Sequence, residues 1–177
     1  MMLFFRWVRC GAKARNFKLF PKEDCEIHEY FRAQNLDFKG TGYDRGHLAA
    51  AANHRKSPTV LQETFLLSNI CPQHPGLNRK LWKRLEIYTR SLAKHFNAVY
   101  VCSGPLYLPK QKDDKLVVEY QLLGTHHIAV PTHFFKIILM ESQDWLETFN
   151  FLRAGVNFFG IIFRLSWSPW NSLTEVQ

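Results

Sequence analysis

The longest regular pattern of apolar and polar positions runs from Asn78 to Phe96, where Leu81, Leu85, Tyr88, Leu92 and Phe96 recur at three- and four-residue steps behind Leu77. That spacing predicts an amphipathic helix. Asn78 and Glu86 stand eight positions apart on it, about 800° of rotation, and so return to within roughly 80° of one face. Upstream, Lys39-Gly40-Thr41-Gly42 reads as a turn leading into Tyr43. A strand is expected to start near His47 and to continue through Ala49–Ala52 and Asn53-His54 until Ser57-Pro58 ends it. Thr64 to Ile70 is an apolar run of strand length, with Pro72 and Pro75-Gly76 marking a loop after it. Ala98 to Cys102 has the look of a buried strand closed by Ser103-Gly104-Pro105. Leu116 to Leu123, His127 to Val130 and Phe134 to Met140 suggest three more strands, the first two flanking Gly124-Thr125. Residues from Ile27 to Gln34 fit a short helix or an irregular connection.

No repeat or Pro/Gly/Ser-rich linker divides the 177 residues, a length that one hydrophobic core can serve. Three stretches nevertheless differ in character: a basic arm or targeting segment over 1–23, a core over 24–147, and an aromatic-rich tail over 148–177. The first 22 residues carry Arg6, Arg9, Lys13, Arg15, Lys18 and Lys22 and no acid. Such a start fits a mitochondrial transit peptide or, equally, a basic first strand. The tail gathers Phe149, Phe151, Phe158, Phe159, Trp167 and Trp170. It reads as a packed helix and strand, an interface, or a segment that aggregates without its partner.

The whole chain has 23 Lys and Arg against 15 Asp and Glu, a formal charge of +8. This favours polyanions, and nucleic acid and anionic membrane both qualify. No apolar run approaches the roughly 18 residues that would span a bilayer, so no stable membrane span is expected. Cys10, Cys25, Cys71 and Cys102 are scattered without paired spacing, which speaks against a zinc module and against a disulfide framework.

Candidate chemistry is concentrated between Tyr43 and Glu86. Phosphodiester hydrolysis needs a base for water, a cation at the phosphorane-like transition state, and help for the departing 3′ oxygen. His47 can take a proton near neutral pH as a neutral imidazole. Asn78 offers a neutral oxygen to a hard cation that keeps most of its water, and Glu86 can hold that water shell. Arg45, two residues before His47, would share its side of an extended segment and can grip phosphate oxygens. Asn69 can hydrogen-bond the groups that fix His47 and Asn78, and Asp44 is expected to pair with a basic neighbour. Each also has an ordinary reading. His47 can be a satisfied strand histidine, Asn78 a helix N-cap, Glu86 a solvated helix residue and Arg45 a salt-bridge partner.

The joint pattern Asp44-Arg45-Gly46-His47, Asn69, Asn78 and Glu86 resembles the DNA/RNA non-specific endonuclease family. Asp44 to Arg55, Leu67 to Gln73, Tyr100 to Leu106 and His127 to Lys136 make it similar to the mitochondrial members. The resemblance implies an α+β, ββα-metal nuclease fold with a mainly antiparallel sheet and a long helix carrying the metal site. It implies His47 as general base, Asn78 as ligand of Mg²⁺ (or Mn²⁺), and Arg45, Asn69 and Glu86 as catalytic supports. It further implies hydrolysis of DNA and RNA, a homodimer, and residence in the mitochondrial intermembrane space with transfer to the nucleus. The likeness covers roughly residues 24 to 147. The family's early strands and a further phosphate-contacting arginine have no counterpart before Asp24, and after Trp145 the chain leaves the family's usual ending. Two alternatives follow: a catalytically impaired variant that binds nucleic acid or modulates a dimer, and an incomplete product that aggregates through its tail.

Overall fold

A computed structural model describes the backbone of residues 3–8, 19–142, 157–166 and 174–175 and the side chains of residues 19–141. Its central sheet has the order β1-β4-β9-β10-β11, formed by β1 (Leu3–Val8), β4 (Ala98–Leu106), β9 (His133–Ser142), β10 (Asn157–Ser166) and β11 (Thr174–Glu175). All four pairings are antiparallel. A two-stranded ribbon joins β2 (Asp44–His47) to β3 (Ile70–Gln73), and β5 (Lys110–Lys112) with β6 (Lys115–Val117) and β7 (Leu122–Leu123) with β8 (Ile128–Ala129) make small hairpins. The helices are α1 (Pro58–Glu63) and α2 (Lys83–Leu92), the latter entered through a π-helical turn at Leu77–Trp82. The class is α+β. Residues 9–18 of the basic arm and Phe149, Phe151, Trp167 and Trp170 of the tail lie outside the described residues.

The predicted helix forms because its apolar stripe has two surfaces to cover. Leu77, Trp82 and Leu85 pack with Leu48 of the ribbon's continuation and Phe134 of β9. One turn later the stripe meets the sheet, where Ala93, Val99, Ile138 and Met140 close together against Leu92 and Phe96. Burying each such side chain contributes on the order of 1.5–3 kcal/mol, so the helix is fixed between ribbon and sheet.

Several strand boundaries differ from the sequence expectation. His47 ends a strand rather than starting one. Leu48 N–H donates to Asn69 O at 2.9 Å, and the next rung is then supplied by the Asn69 side chain, which accepts from Ala49 N–H and donates to Ala49 O. An amide side chain thus replaces a partner strand, and the weakly strand-forming alanines turn into a 3-10 helix at Ala51–Asn53. Ser57-Pro58 opens α1, with the Ser57 hydroxyl accepting from Val60 N–H and Pro58 in the first turn. Pro72 sits inside β3 opposite Arg45, a place open to proline because a two-stranded ribbon leaves one edge of each strand unpaired. β4 runs on to Leu106 past Gly104, whose missing Cβ would fall 2.6 Å from the Phe135 ring.

Candidate active site

The ribbon, its flanking turn and the helix that follows carry the candidate residues. In the ribbon, Asp44 stands opposite Gln73 and His47 opposite Ile70, so pleating sends Asp44, Gly46, Cys71 and Gln73 to one face and Arg45, His47, Ile70 and Pro72 to the other. The first face meets the helix. Gln73 is fully buried there, and a Cβ on Gly46 would lie 2.2 Å from its Oε1. No other residue fits at position 46 without moving Gln73.

Asn78 does not cap the helix: it lies inside the π-helical turn, whose cap position is Gly76. Its Nδ2 donates to Asp44 Oδ2 at 2.9 Å, and Arg79 holds the same carboxylate with two bonds of 2.7 and 2.8 Å. The Arg79 hydrogen bond keeps Asp44 below the usual carboxylate range, against the opposing effect of burial. Asp44 is therefore an acceptor only. Its claim on the amide nitrogen turns the Asn78 carbonyl oxygen away from it.

His47 is held by backbone and packing. The Trp82 indole N–H donates to His47 O at 2.9 Å, tying the ribbon's end to the helix one turn beyond Asn78. The imidazole packs edge-on against Phe65, centroids 4.8 Å apart, and its Nε2 is buried with no hydrogen-bond partner. Burial lowers the imidazole pKa from its ordinary value, favouring the neutral ring. Arg45, on the same face, donates to Asn35 O at 2.6 Å and lies over the Phe38 ring at 5.2 Å. Asn69, 5% exposed, is spent on structure: beside its two bonds to Ala49 it donates to Thr64 O at 2.8 Å.

Glu86 lies two turns along the helix from Asn78 and lines a different recess, with Leu48, Ala49, Asn53, His54 and Lys136. About 20 Å³ is open there, room for roughly one water. Burial raises the Glu86 pKa, opposed by Lys136, Arg90 and Lys83 in that order. Thus Asn78 meets the ribbon at its Asp44 end and Trp82 meets it at its His47 end. Glu86 borders it from the Ala49 side and is not hydrogen-bonded to either His47 or Asn78. Sequence reasoning passed over Lys136 as a functional residue. It is 2% exposed, donates to Ser103 Oγ at 2.6 Å, stacks over Trp82 at 4.2 Å, and is brought down to about 8 by burial. A lone cation inside the apolar run Phe134-Phe135-Lys136-Ile137-Ile138 was the available signal.

Residues 13–165 match the model of the DNA/RNA non-specific endonuclease family. Human "Endonuclease G, mitochondrial" is 53% identical over 140 residues, covering 77% of this chain and 47% of the relative. The "Mitochondrial nuclease" of Saccharomyces cerevisiae is 47% identical over 127 residues, covering 70% and 39%. The chain thus spans less than half the length of these curated relatives. Among solved structures, one titled as a crystal structure of an EndoG/EndoGI complex superposes with a TM-score of 0.85 at 37% identity, covering 99% of this chain and 72% of that one. With most of its length matched by the family model, this chain belongs to the DNA/RNA non-specific endonucleases.

Proposed function

We propose that the chain is a metal-dependent, sugar-non-specific endonuclease that hydrolyses phosphodiester bonds of DNA and RNA on a ββα-metal unit made of β2, β3 and the helix at 77–92. The observation that carries this reading is the Asp44 clamp, which presents the Asn78 carbonyl oxygen beside the strand that ends in His47. The donor set suits a hard cation. Among the described residues no group of three or more His, Cys, Asp or Glu gathers to hold a metal ion, so a cation taken by Asn78 would keep most of its water, as Mg²⁺ prefers. Mn²⁺ would suit the same oxygen. When bound, the cation would neutralise charge on the transition state and supply an acidic water to the leaving oxygen.

The protein's own groups do the rest. With Nε2 buried, Nδ1 is the ring nitrogen of His47 left to take a proton from water, and burial keeps it unprotonated near neutral pH. Arg45, steadied by Asn35 O and Phe38, would hold a phosphate oxygen on the His47 side of the ribbon. Asn69 fixes the turn after His47, and Glu86 would order water bordering the site. Substrate contact through phosphates makes sequence preference weak. A homodimer and a mitochondrial location, in the intermembrane space with transfer to the nucleus, complete the reading. The names of the relatives support the mitochondrial part.

The test is incubation of the purified chain with supercoiled plasmid and with RNA, in Mg²⁺ or EDTA, beside His47→Ala. Cleavage of both polymers, abolished by EDTA and reduced on the order of 10²- to 10⁴-fold by the substitution, is the expected result. Retention of DNA without cleavage by a folded sample would favour the impaired, nucleic-acid-binding variant.

A further inference from the structure

Away from the His47 site, an unusual degree of fixation surrounds one histidine. Asp37, 2% exposed in the 3-10 turn Asn35–Phe38, meets His126 Nδ1 at 3.0 and 3.1 Å through its two oxygens and accepts the His126 backbone N–H at 3.3 Å. It also accepts Gln34 N–H at 2.8 Å. Burial alone would raise the Asp37 pKa, but the bonds from Gln34 and His126 bring it below the ordinary value. The ionised carboxylate therefore accepts from Nδ1–H, which in the neutral ring leaves Nε2 as the acceptor on the other side. The β7–β8 turn that carries His126 presses directly on Asp37. A Cβ on Gly124, at φ +62, would lie 2.1 Å from Asp37 Oδ1 and 2.5 Å from its Cα.

This rigid imidazole borders an open cavity of about 410 Å³ lined by Glu29, Tyr30, Gln34, Thr125, His126 and His127, within the size range of small-ligand pockets. The lining holds no Lys or Arg, so it does not suit a phosphate. It is rich in acceptors and hydroxyls, which suit a neutral group with N–H donors. Tyr30, 81% exposed, offers an aromatic face. Arg45 is linked to the cavity through the turn that holds Asp37: it donates to Asn35 O, the residue after the lining residue Gln34, and lies over Phe38 at the turn's other end. A four-residue 3-10 turn spans roughly 8 Å, so a strand gripped at Arg45 would bring a neighbouring nucleotide to the cavity.

We infer that this cavity is a subsite for one unpaired nucleobase of the substrate strand, stacked on Tyr30 with its N–H edge toward His126 and Glu29. The inference rests on the nuclease reading for its strand but not for its binding test. In EDTA, the affinity of the full chain for a fluorescein-labelled single-stranded 20-mer would be compared with that for an abasic 20-mer by anisotropy, alongside Tyr30→Ala and His126→Ala. Tyr30→Ala should weaken binding of the 20-mer by roughly 5- to 100-fold, the effect of losing one base–aromatic stack, and leave the abasic polymer's affinity as it was. His126→Ala should act in the same direction, and melting curves would confirm that both variants fold. In Mg²⁺, a single abasic residue should suppress cuts at one fixed offset in the parent chain and not in Tyr30→Ala. Equal effects of the substitutions on normal and abasic strands would overturn the subsite. So would an unchanged 20-mer affinity beside lost binding of a lysine-rich peptide probe, which would give the cavity to a protein partner. Base-dependent binding without cleavage would sink the nuclease reading alone, whereas cleavage with base-independent binding would sink the subsite alone.

Discussion

At His47, reactivity and burial are coupled. Because burial disfavours the imidazolium, the neutral base persists to lower pH than in a free histidine, whose pKa is about 6.5. The acid limb of kcat/KM for plasmid cleavage should therefore fall below pH 6.5; a limb at or above that value would contradict a buried base. Stability follows the same group. The unfolded imidazole binds its proton near pH 6.5 and the folded one only at lower pH, so this contribution is complete above about 6.5 and is lost as pH falls through the folded value. Asn69 should behave differently. Asn69→Ala leaves Ala49 N, Ala49 O and Thr64 O without partners, a cost of order 3 kcal/mol and a fall in Tm of roughly 6–12 °C for a chain of this size. Asn69→Asp would do little better, since a carboxylate cannot donate to two carbonyls; a Tm matching the parent would show that the amide is not what closes the turn. At this scale the sequence was partly readable. The i, i+2 spacing put Arg45 and His47 on one face, and Asp44 pairs with a basic neighbour. The three bonds of Asn69 depend on where the chain doubles back and leave no local trace.

The helix and ribbon form one device, hinged on Asp44, Asn78 and Trp82. Asp44→Ala frees the Asn78 amide to rotate, and loss of such an orienting partner typically weakens metal affinity 10- to 100-fold. Titrating cleavage against Mg²⁺ should show that shift; an unchanged Mg²⁺ midpoint would mean that Asn78 needs no orientation from Asp44. Trp82→Phe keeps the ring stack on Phe134 and Lys136 but orphans His47 O, costing about 1–3 kcal/mol in a thermal or urea melt. The helix itself was plain in the sequence because its stripe repeats over five positions. The ribbon was displaced by several residues. Thr64 to Ile70 carries the apolar density of a strand, but Leu67 and Ile70 use it to pack on Phe38, and pairing begins only at Ile70 and runs on to Gln73. Pro72 and the alanines after His47 send local signals that tertiary pairing overrides.

Over the whole molecule, strands from both ends are joined to the central pair. β1 lies against β4 and β10 against β9, whereas the sequence leaves the tail open between a packed helix and strand, an interface and an aggregating segment. The Asp37–His126 contact joins residues 89 positions apart, beyond the reach of any local pattern. Net charge, by contrast, is legible at once. With +8 on the chain, binding to single-stranded DNA in EDTA should fall linearly on a log–log plot against salt, with a slope of about −0.7 per phosphate neutralised. A flat salt dependence would show that the excess of lysine and arginine serves something other than the polymer.

The π-helical turn at Leu77–Trp82 also gives the gene unusual slack in its own arithmetic. One residue more than an α-helix would use is accommodated there, and each residue advances an α-helix by about 100°. Loss of a single codon within 79–81 would let the turn relax into ordinary α-helix while every apolar contact of α2 is kept. Asn78 would then keep nearly its present bearing on Glu86, because the lost residue is the one that the turn had absorbed. A lineage that drops such a codon would keep both its fold and the alignment of Asn78 with Glu86, whereas the same loss inside Lys83–Leu92 would turn one end of that helix by about 100° against the other.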